Sequence, residues 1–199
     1  MAYAGIVYVR QADSRELTFG VSGLLYKSNL LMYDRQTESL WLQVKREAVT
    51  GPLTGTRLKK LPSTITTWKK WRKRYPATKV LSLDTGYVRD YENDPYADYY
   101  KSRTGLFSFL KPGPGASEKA LIVGVEIGGV TSAYLMDRLR EAGEINDTVG
   151  GLAISINFDP ETDAVTVIGK KGEVYDYMLT YWMVWKGIYP ETKMHGETP

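Results

Sequence analysis

Three stretches of the chain carry residue types that can do chemistry. The first is Met32-Tyr-Asp-Arg-Gln-Thr-Glu-Ser-Leu-Trp41, in which Asp34, Arg35, Thr37, Glu38 and Ser39 place polar groups between two apolar runs. Arg35 is suited to clamp a carboxylate or phosphate, and Asp34 to act as a general base. With Thr37, Ser39 and Trp41 they make a candidate ligand-binding edge. A hairpin turn in which Asp34 and Thr37 bond their own backbone explains the same residues.

The second stretch runs from Asp84 to Tyr100 and holds five of the 15 tyrosines together with Asp84, Asp90, Glu92, Asp94 and Asp98. It follows neither the helical nor the strand period and is too aromatic for disorder, which predicts a long ordered loop. Asp90, Asp94 and Tyr91 are its catalytic candidates, and Arg89, Tyr96 and Tyr100 its ligand-binding candidates. Carboxylates beside tyrosines suit a hydrolase or lyase that works without histidine. Asp90, Asn93, Asp94 and Asp98 form a calcium candidate whose spacing is not that of an EF-hand. No other cofactor is expected. A loop that merely covers a sheet is the competing expectation.

The third stretch is basic: Arg57, Lys59, Lys60, Lys69, Lys70, Arg72, Lys73 and Arg74 occur without an intervening acid. Interleaved tryptophans would suit nucleic acid, but the net charge of the chain is only +3. Nucleic-acid binding is therefore the weakest of the functional expectations.

Composition narrows the chemistry further. The chain has 199 residues, no cysteine and one histidine, His195, near its C-terminal end. Disulfides, thiolate nucleophiles and zinc-cysteine sites are excluded, and any triad would have to be built on that single imidazole. Hydrophobic residues at 43% and charged residues at 25% are those of a globular protein. No apolar run is long enough to cross a membrane as a helix. Charged residues within the first twenty positions argue against a signal peptide there.

The elements that must position these residues are announced by a repeat. Thr66-Thr-Trp-Lys-Lys-Trp-Arg-Lys-Arg-Tyr-Pro-Ala-Thr-Lys79 recurs as Thr180-Tyr-Trp-Met-Val-Trp-Lys-Gly-Ile-Tyr-Pro-Glu-Thr-Lys193. Trp68, Trp71 and Tyr75 share one face of a helix, which Thr66 or Thr67 caps and Pro76 ends. Two helices packing aromatic stripes into a core is the plainer expectation, and an aromatic platform for a sugar or base the sharper one. Upstream, Ile6–Val9 with Glu16–Phe19 is matched to Val165–Ile168 with Glu173–Asp176 as strand-turn-strand. On that alignment residues 20–62 are an insertion, and the first copy lacks a counterpart of residues 120–158.

Strands are expected at 24–26, 30–33, 39–44 and 120–127, with a hairpin turn at Gly128-Gly129 and a short helix over 134–142. Glu144 to Gly151 reads as a turn, and Gly51–Thr56 as another. Lys111-Pro-Gly-Pro-Gly115 is the linker candidate. The sum is a strand-rich α+β chain of two imperfect repeats, 1–110 and 116–199, joined in one compact domain.

The segments Leu17–Tyr26, Met32–Trp41, Gly51–Gly55, Tyr75-Pro76, Arg89–Tyr91, Asp94–Tyr96 and Asn146–Gly151 together resemble a bacterial and archaeal family known as domain of unknown function 3179. The likeness covers nearly the whole chain. It implies an exported protein, extracellular or periplasmic, and assigns no activity. Relatives usually carry a Cys-Pro-Leu-Cys-like motif ahead of the segment matching Ala4–Val9, which is absent here.

The expectation is a module that binds a ligand or partner in a cleft between the Asp34–Trp41 hairpin and the Tyr87–Tyr100 loop. The ligand would be a small molecule or saccharide, the partner another protein or a second copy covering an open sheet edge. The carboxylate and tyrosine enzyme is the alternative.

Overall fold

The computed structural model describes residues 3–101 and 118–196. The 111–115 linker candidate lies outside the described residues. The first part of the chain forms β1 (Val7–Tyr8), β2 (Gln11–Ala12), β3 (Arg15–Glu16), β4 (Phe19–Tyr26), β5 (Asn29–Asp34), β6 (Leu40–Leu42), β7 (Glu47–Thr50) and β8 (Lys60–Leu61), followed by helices α1 (Trp68–Arg74) and α2 (Ala97–Lys101). The second part forms β9 (Leu121–Ile127), β10 (Val130–Leu135), α3 (Met136–Ala142), β11 (Glu144–Val149), β12 (Leu152–Asp159), β13 (Ala164–Gly169), β14 (Val174–Tyr175), β15 (Tyr177–Tyr181), α4 (Trp182–Ile188) and β16 (Lys193–Met194). The chain is α+β, with many strands and four short helices among the described residues.

Two antiparallel meanders carry most of the strand. One has the order β4-β5-β6-β7 and the other β11-β12-β13-β14. Each turns its middle corner in the same way. Asp34 Oδ1 accepts from Thr37 N at 2.6 Å, and Asp159 Oδ1 accepts from Glu161 N at 2.8 Å. The hydroxyls of Thr37 and Thr162 donate to the other oxygens of Asp34 and Asp159, and Glu38 and Asp163 follow at φ 57° and 60°. Short polar side chains that bond their own backbone favour such corners over continued strand.

This corrects the alignment of strand-turn-strand units. Val165–Ile168 and Val174–Tyr175 do pair, as β13 with β14. The supposed counterpart does not, because β1 pairs with β8 and β2 pairs with β3. Residues 20–50 are therefore a meander in their own right, and no insertion into a hairpin.

A third sheet, ordered β15-β9-β10-β16, divides two cores. The sequence of β9, Leu-Ile-Val-Gly-Val-Glu-Ile, is apolar almost throughout because both of its faces are covered. Val123, Val125 and Ile127 face the second meander and pack with Tyr134, Leu139, Ile156 and Val167. Ile122 joins Tyr181, Val184, Trp185 and Met194 on the other side. Gly128 and Gly129 turn β9 into β10 at φ 58° and 80°, values that favour glycine at both positions. Helix α3 begins only at Met136, because Tyr134 and Leu135 remain in the β10 ladder.

The halves of the chain hold each other by their turns. Lys27, in the β4–β5 turn, donates to the Gly187 carbonyl of α4, and Arg46 pairs with Asp176 at 2.7 Å. In the opposite direction, Lys70 of α1 meets Asp163 at 2.6 Å and the Pro160 carbonyl at 2.8 Å, both in the β12–β13 turn.

Gly124 of β9 is where α4 closes on the sheet. A Cβ added there would lie 2.5 Å from Trp185 Cε3. Gly124→Val should therefore cost about 3 kcal/mol or more, since neither the indole nor the central strand can retreat. Urea denaturation of the variant beside the parent measures this.

Candidate functional site

The expected ligand edge at Asp34 is a buried turn. Asp34, Ser39 and Trp41 have no exposed surface. The Asp34 carboxylate accepts from Thr37 N, Thr37 Oγ1 and Trp41 Nε1, the last at 2.9 Å. Burial alone would raise this carboxyl, but the donors of Trp41 and Thr37 outweigh it and hold the pKa below the ordinary value. Ser39 Oγ accepts from Leu53 N at 3.1 Å and so ties the turn to the Gly51–Thr56 loop. Arg35 is exposed and donates to the Tyr33 hydroxyl at 2.9 Å.

The tyrosine loop bonds largely within itself. Asp90 accepts from the backbone of Glu92 and Asn93 and from the Asn93 side chain at 2.7 Å, whereas Asp94 accepts from Tyr96 N. The Tyr91 hydroxyl meets Thr85 Oγ1 at 2.6 Å. Arg89, Asp98, Tyr96 and Tyr100 are exposed or half-buried, and Asp98 faces Lys101 within α2. The four calcium candidates are thus spent on separate local turns or open to solvent. Among the described residues no group of three or more acidic, histidine or cysteine side chains is arranged to hold a metal.

The basic stretch is divided as well. Arg57 pairs with Glu47 at 3.0 Å, Lys60 donates to the Tyr177 carbonyl, and Lys70 is tied to Asp163. Arg72, Lys73 and Arg74 remain exposed on the last turn of α1.

A wide opening lies elsewhere, against α1. It measures about 850 Å³ and is walled by α1 on one side and β13–β14 on the other. Trp71, Tyr75, Tyr175 and Tyr177 supply aromatic surface to it, and Lys60, Lys70, Lys73 and Arg74 supply cations. Neither the Asp34–Trp41 turn nor the tyrosine loop lines it.

The aromatic stripe of α1 is in no core cluster among the described residues, which corrects the expectation of two buried helices. Helix α4 buries Val184 and Trp185, whereas α1 buries no residue and leaves Trp68, Trp71 and Tyr75 exposed. The local geometry is nevertheless the same. Trp71 lies 4.4 Å from Tyr75 and Trp185 4.5 Å from Tyr189, ring to ring. Each indole N–H donates to the threonine seven residues on, Thr78 at 3.1 Å and Thr192 at 3.0 Å. The Thr67 hydroxyl accepts from Lys70 N and caps α1, as the sequence predicts.

A second cluster escaped sequence reasoning. Glu144–Val149 is strand β11 and not a turn, so that Asp147 points across to β10. Asp147 Oδ2 accepts from the Tyr134 hydroxyl at 2.8 Å and stands 3.2 Å from His195 Nδ1. Burial opposes ionisation of Asp147, but the donors of Tyr134, Thr148 and His195 overcome this and lower its pKa. The arrangement can hold a negative charge between a phenol and an imidazole. The signal was nonlocal, because His195 reaches Asp147 only through the parallel pairing of β16 with β10.

Comparison with known proteins agrees with the resemblance read from the motifs. The family model described as "Protein of unknown function (DUF3179)" matches residues 1–180. The chain belongs to that family. No curated protein and no solved structure matches it. No helix among the described residues is long and apolar enough to cross a membrane.

Because the Asp147 carboxyl titrates below its unfolded value of about 3.9, its contribution to stability is complete above that pH and fades as the pH falls through the folded pKa. Asp147→Asn should therefore flatten the loss of stability between about pH 5 and about pH 2 relative to the parent. Denaturant midpoints taken across that range compare the two slopes.

Proposed function

We propose that the protein is a binding module built from two copies of one unit, a four-stranded meander followed by an extended segment and a Trp-x-x-Trp helix. It captures an acidic polypeptide partner in the cleft against α1. The observation that carries this reading is the composition of the cleft wall, where four aromatic rings alternate with Lys60, Lys70, Lys73 and Arg74 around about 850 Å³. Half-exposed tryptophan, tyrosine and arginine side chains around a concavity are the residue types that dominate polypeptide interfaces.

Charge supports the sign of the partner. Among the described residues no ion pair ties down Lys73 or Arg74. The acids that line the cleft are Glu161 and Asp176, and Asp176 is already paired with Arg46. The matching geometry of the two aromatic helices and of the Asp34 and Asp159 corners supports the two-copy reading. The carboxylates considered for catalysis, Asp34, Asp90 and Asp94, do not line the cleft.

A fluorescent acidic peptide titrated into the protein tests the reading. Binding should weaken with added salt, and Lys73→Glu with Arg74→Glu should reduce it by about tenfold or more, equivalent to about 1.4 kcal/mol. Undiminished binding by that double variant would overturn the assignment of the cleft.

A further inference from the structure

We infer that the cleft against α1 is the seat of a β-hairpin, and that the chain itself displays the form of its occupant in β9–β10. This inference rests on the reading of the cleft as a polypeptide-binding site and adds what kind of polypeptide it takes.

The two aromatic helices stand in one register, Trp71 with Trp185, Tyr75 with Tyr189 and Thr78 with Thr192. On that register the segment before α4 is β15, and the segment after it is β16. Between them lie β9 and β10, in the order β15-β9-β10-β16. The corresponding segments around α1 are 63–67 and 79–80. Both are extended or irregular, and neither belongs to any strand among the described residues. The segments that border α4 flank a central hairpin; those that border α1 flank none among the described residues.

Three consequences of that difference are visible. The first is space. The corner bounded by Tyr177, Met178, Trp185 and Tyr189, with Gly124 and Glu126 of β9 in place, encloses about 20 Å³. Its counterparts Ser63, Thr64, Trp71 and Tyr75 border the opening of about 850 Å³. The second is exposure. Trp185 is 2% exposed and Trp71 40%, and Met194 is 3% exposed while Val80, at the same register, is 67%.

The third is hydrogen bonding at the helix start. Trp182 N and Met183 N of α4 donate to the carbonyls of Ala120 and Glu118, in the segment leading into β9, at 2.8 and 2.9 Å. Among the described residues no backbone carbonyl meets the corresponding Trp68 N and Lys69 N of α1. A helix start normally has such donors satisfied.

The occupant's chemistry follows from β9. It needs a glycine beneath the Trp71 indole, since Trp185 already contacts the β9 backbone where a Cβ at Gly124 would sit. It carries an acid two residues later, where Glu126 accepts from the Tyr189 hydroxyl at 3.3 Å and stands 3.9 Å from Arg57. In the cleft that acid would meet Tyr75 beside Lys73 and Arg74, so the charges are complementary. Pairing of its first strand with the extended segment 63–67 would be main-chain recognition of the strand-addition kind.

The test uses the chain's own hairpin as the probe: a labelled peptide of residues 119–136, Lys-Ala-Leu-Ile-Val-Gly-Val-Glu-Ile-Gly-Gly-Val-Thr-Ser-Ala-Tyr-Leu-Met, titrated into the intact protein. Saturable binding is expected, with slowed amide exchange at Trp68, Lys69 and residues 63–67. The Gly124→Leu peptide should bind at least about tenfold more weakly, and Trp71→Ala protein should lose the same share. Absence of binding, equal binding by the Gly124→Leu peptide, or protection confined to β15 and α4 would overturn the hairpin seat. So would a dimer of the free protein that Trp71→Ala dissociates, because a second copy would then occupy the cleft. An acidic peptide lacking the hairpin pattern that binds as well as the probe, with a flat glycine series, would overturn this inference and leave the acidic-partner reading standing.

Discussion

The contact of the Trp185 indole with the β9 backbone at Gly124 is the constraint on which the second half of the chain depends. A side chain at that position would hold α4 away from the sheet, and with it Val184, Tyr181 and Met194, which close the core behind β9. The hydrogen bond from Trp185 Nε1 to Thr192 then fixes the exit of α4, and Thr192 in turn meets Thr131 of β10 at 2.6 Å. One flat aromatic surface thus aligns a helix, the sheet beneath it and the strand that follows. The interaction is mostly apolar burial, with Thr192 satisfying the only polar atom the indole brings inside.

The same tryptophan motif, with no strand packed on it among the described residues, explains the character of the first half. Helix α1 keeps its cap, its ring contacts and its threonine bond, so its local conformation does not need the covering sheet. What it lacks is burial. Its attachment to the rest of the fold comes from polar contacts, above all Lys70 with Asp163 and Thr66 with Asp163 at 2.8 Å. Partly exposed ion pairs of this kind stabilise little compared with a buried indole.

Much of this was legible in the residues. The helix limits followed from Thr67 and Pro76, which act within one turn of themselves. The Asp34–Thr37 corner followed from side chains that bond their own backbone. Family membership followed from motifs spread along the chain. The failures have a common physical origin in pairing across long separations. Two-residue strands such as β1 and β8 carry no periodic signal, so their partnership could not be read. Asn146 and Asp147 have turn composition, yet the six-residue ladder with β12 overrides it and confines the turn to Gly150 and Gly151. The environment of His195 depends on a parallel strand pair closed across most of the second half. Exposure of Trp71 was likewise invisible, because a sequence shows the face of a helix and not what covers it.

The exchange of turns between the halves has a kinetic side. Lys27 reaches Gly187 across 160 positions, Arg46 reaches Asp176 across 130, and Lys70 reaches Asp163 across 93. Closing such loops costs chain entropy before any contact forms, so topologies of this kind fold slowly. During synthesis the first meander and α1 emerge well before the residues that anchor them. Until then α1, whose Trp68, Trp71 and Tyr75 are exposed even in the folded chain, is also unanchored, and such a surface on a nascent chain invites premature association.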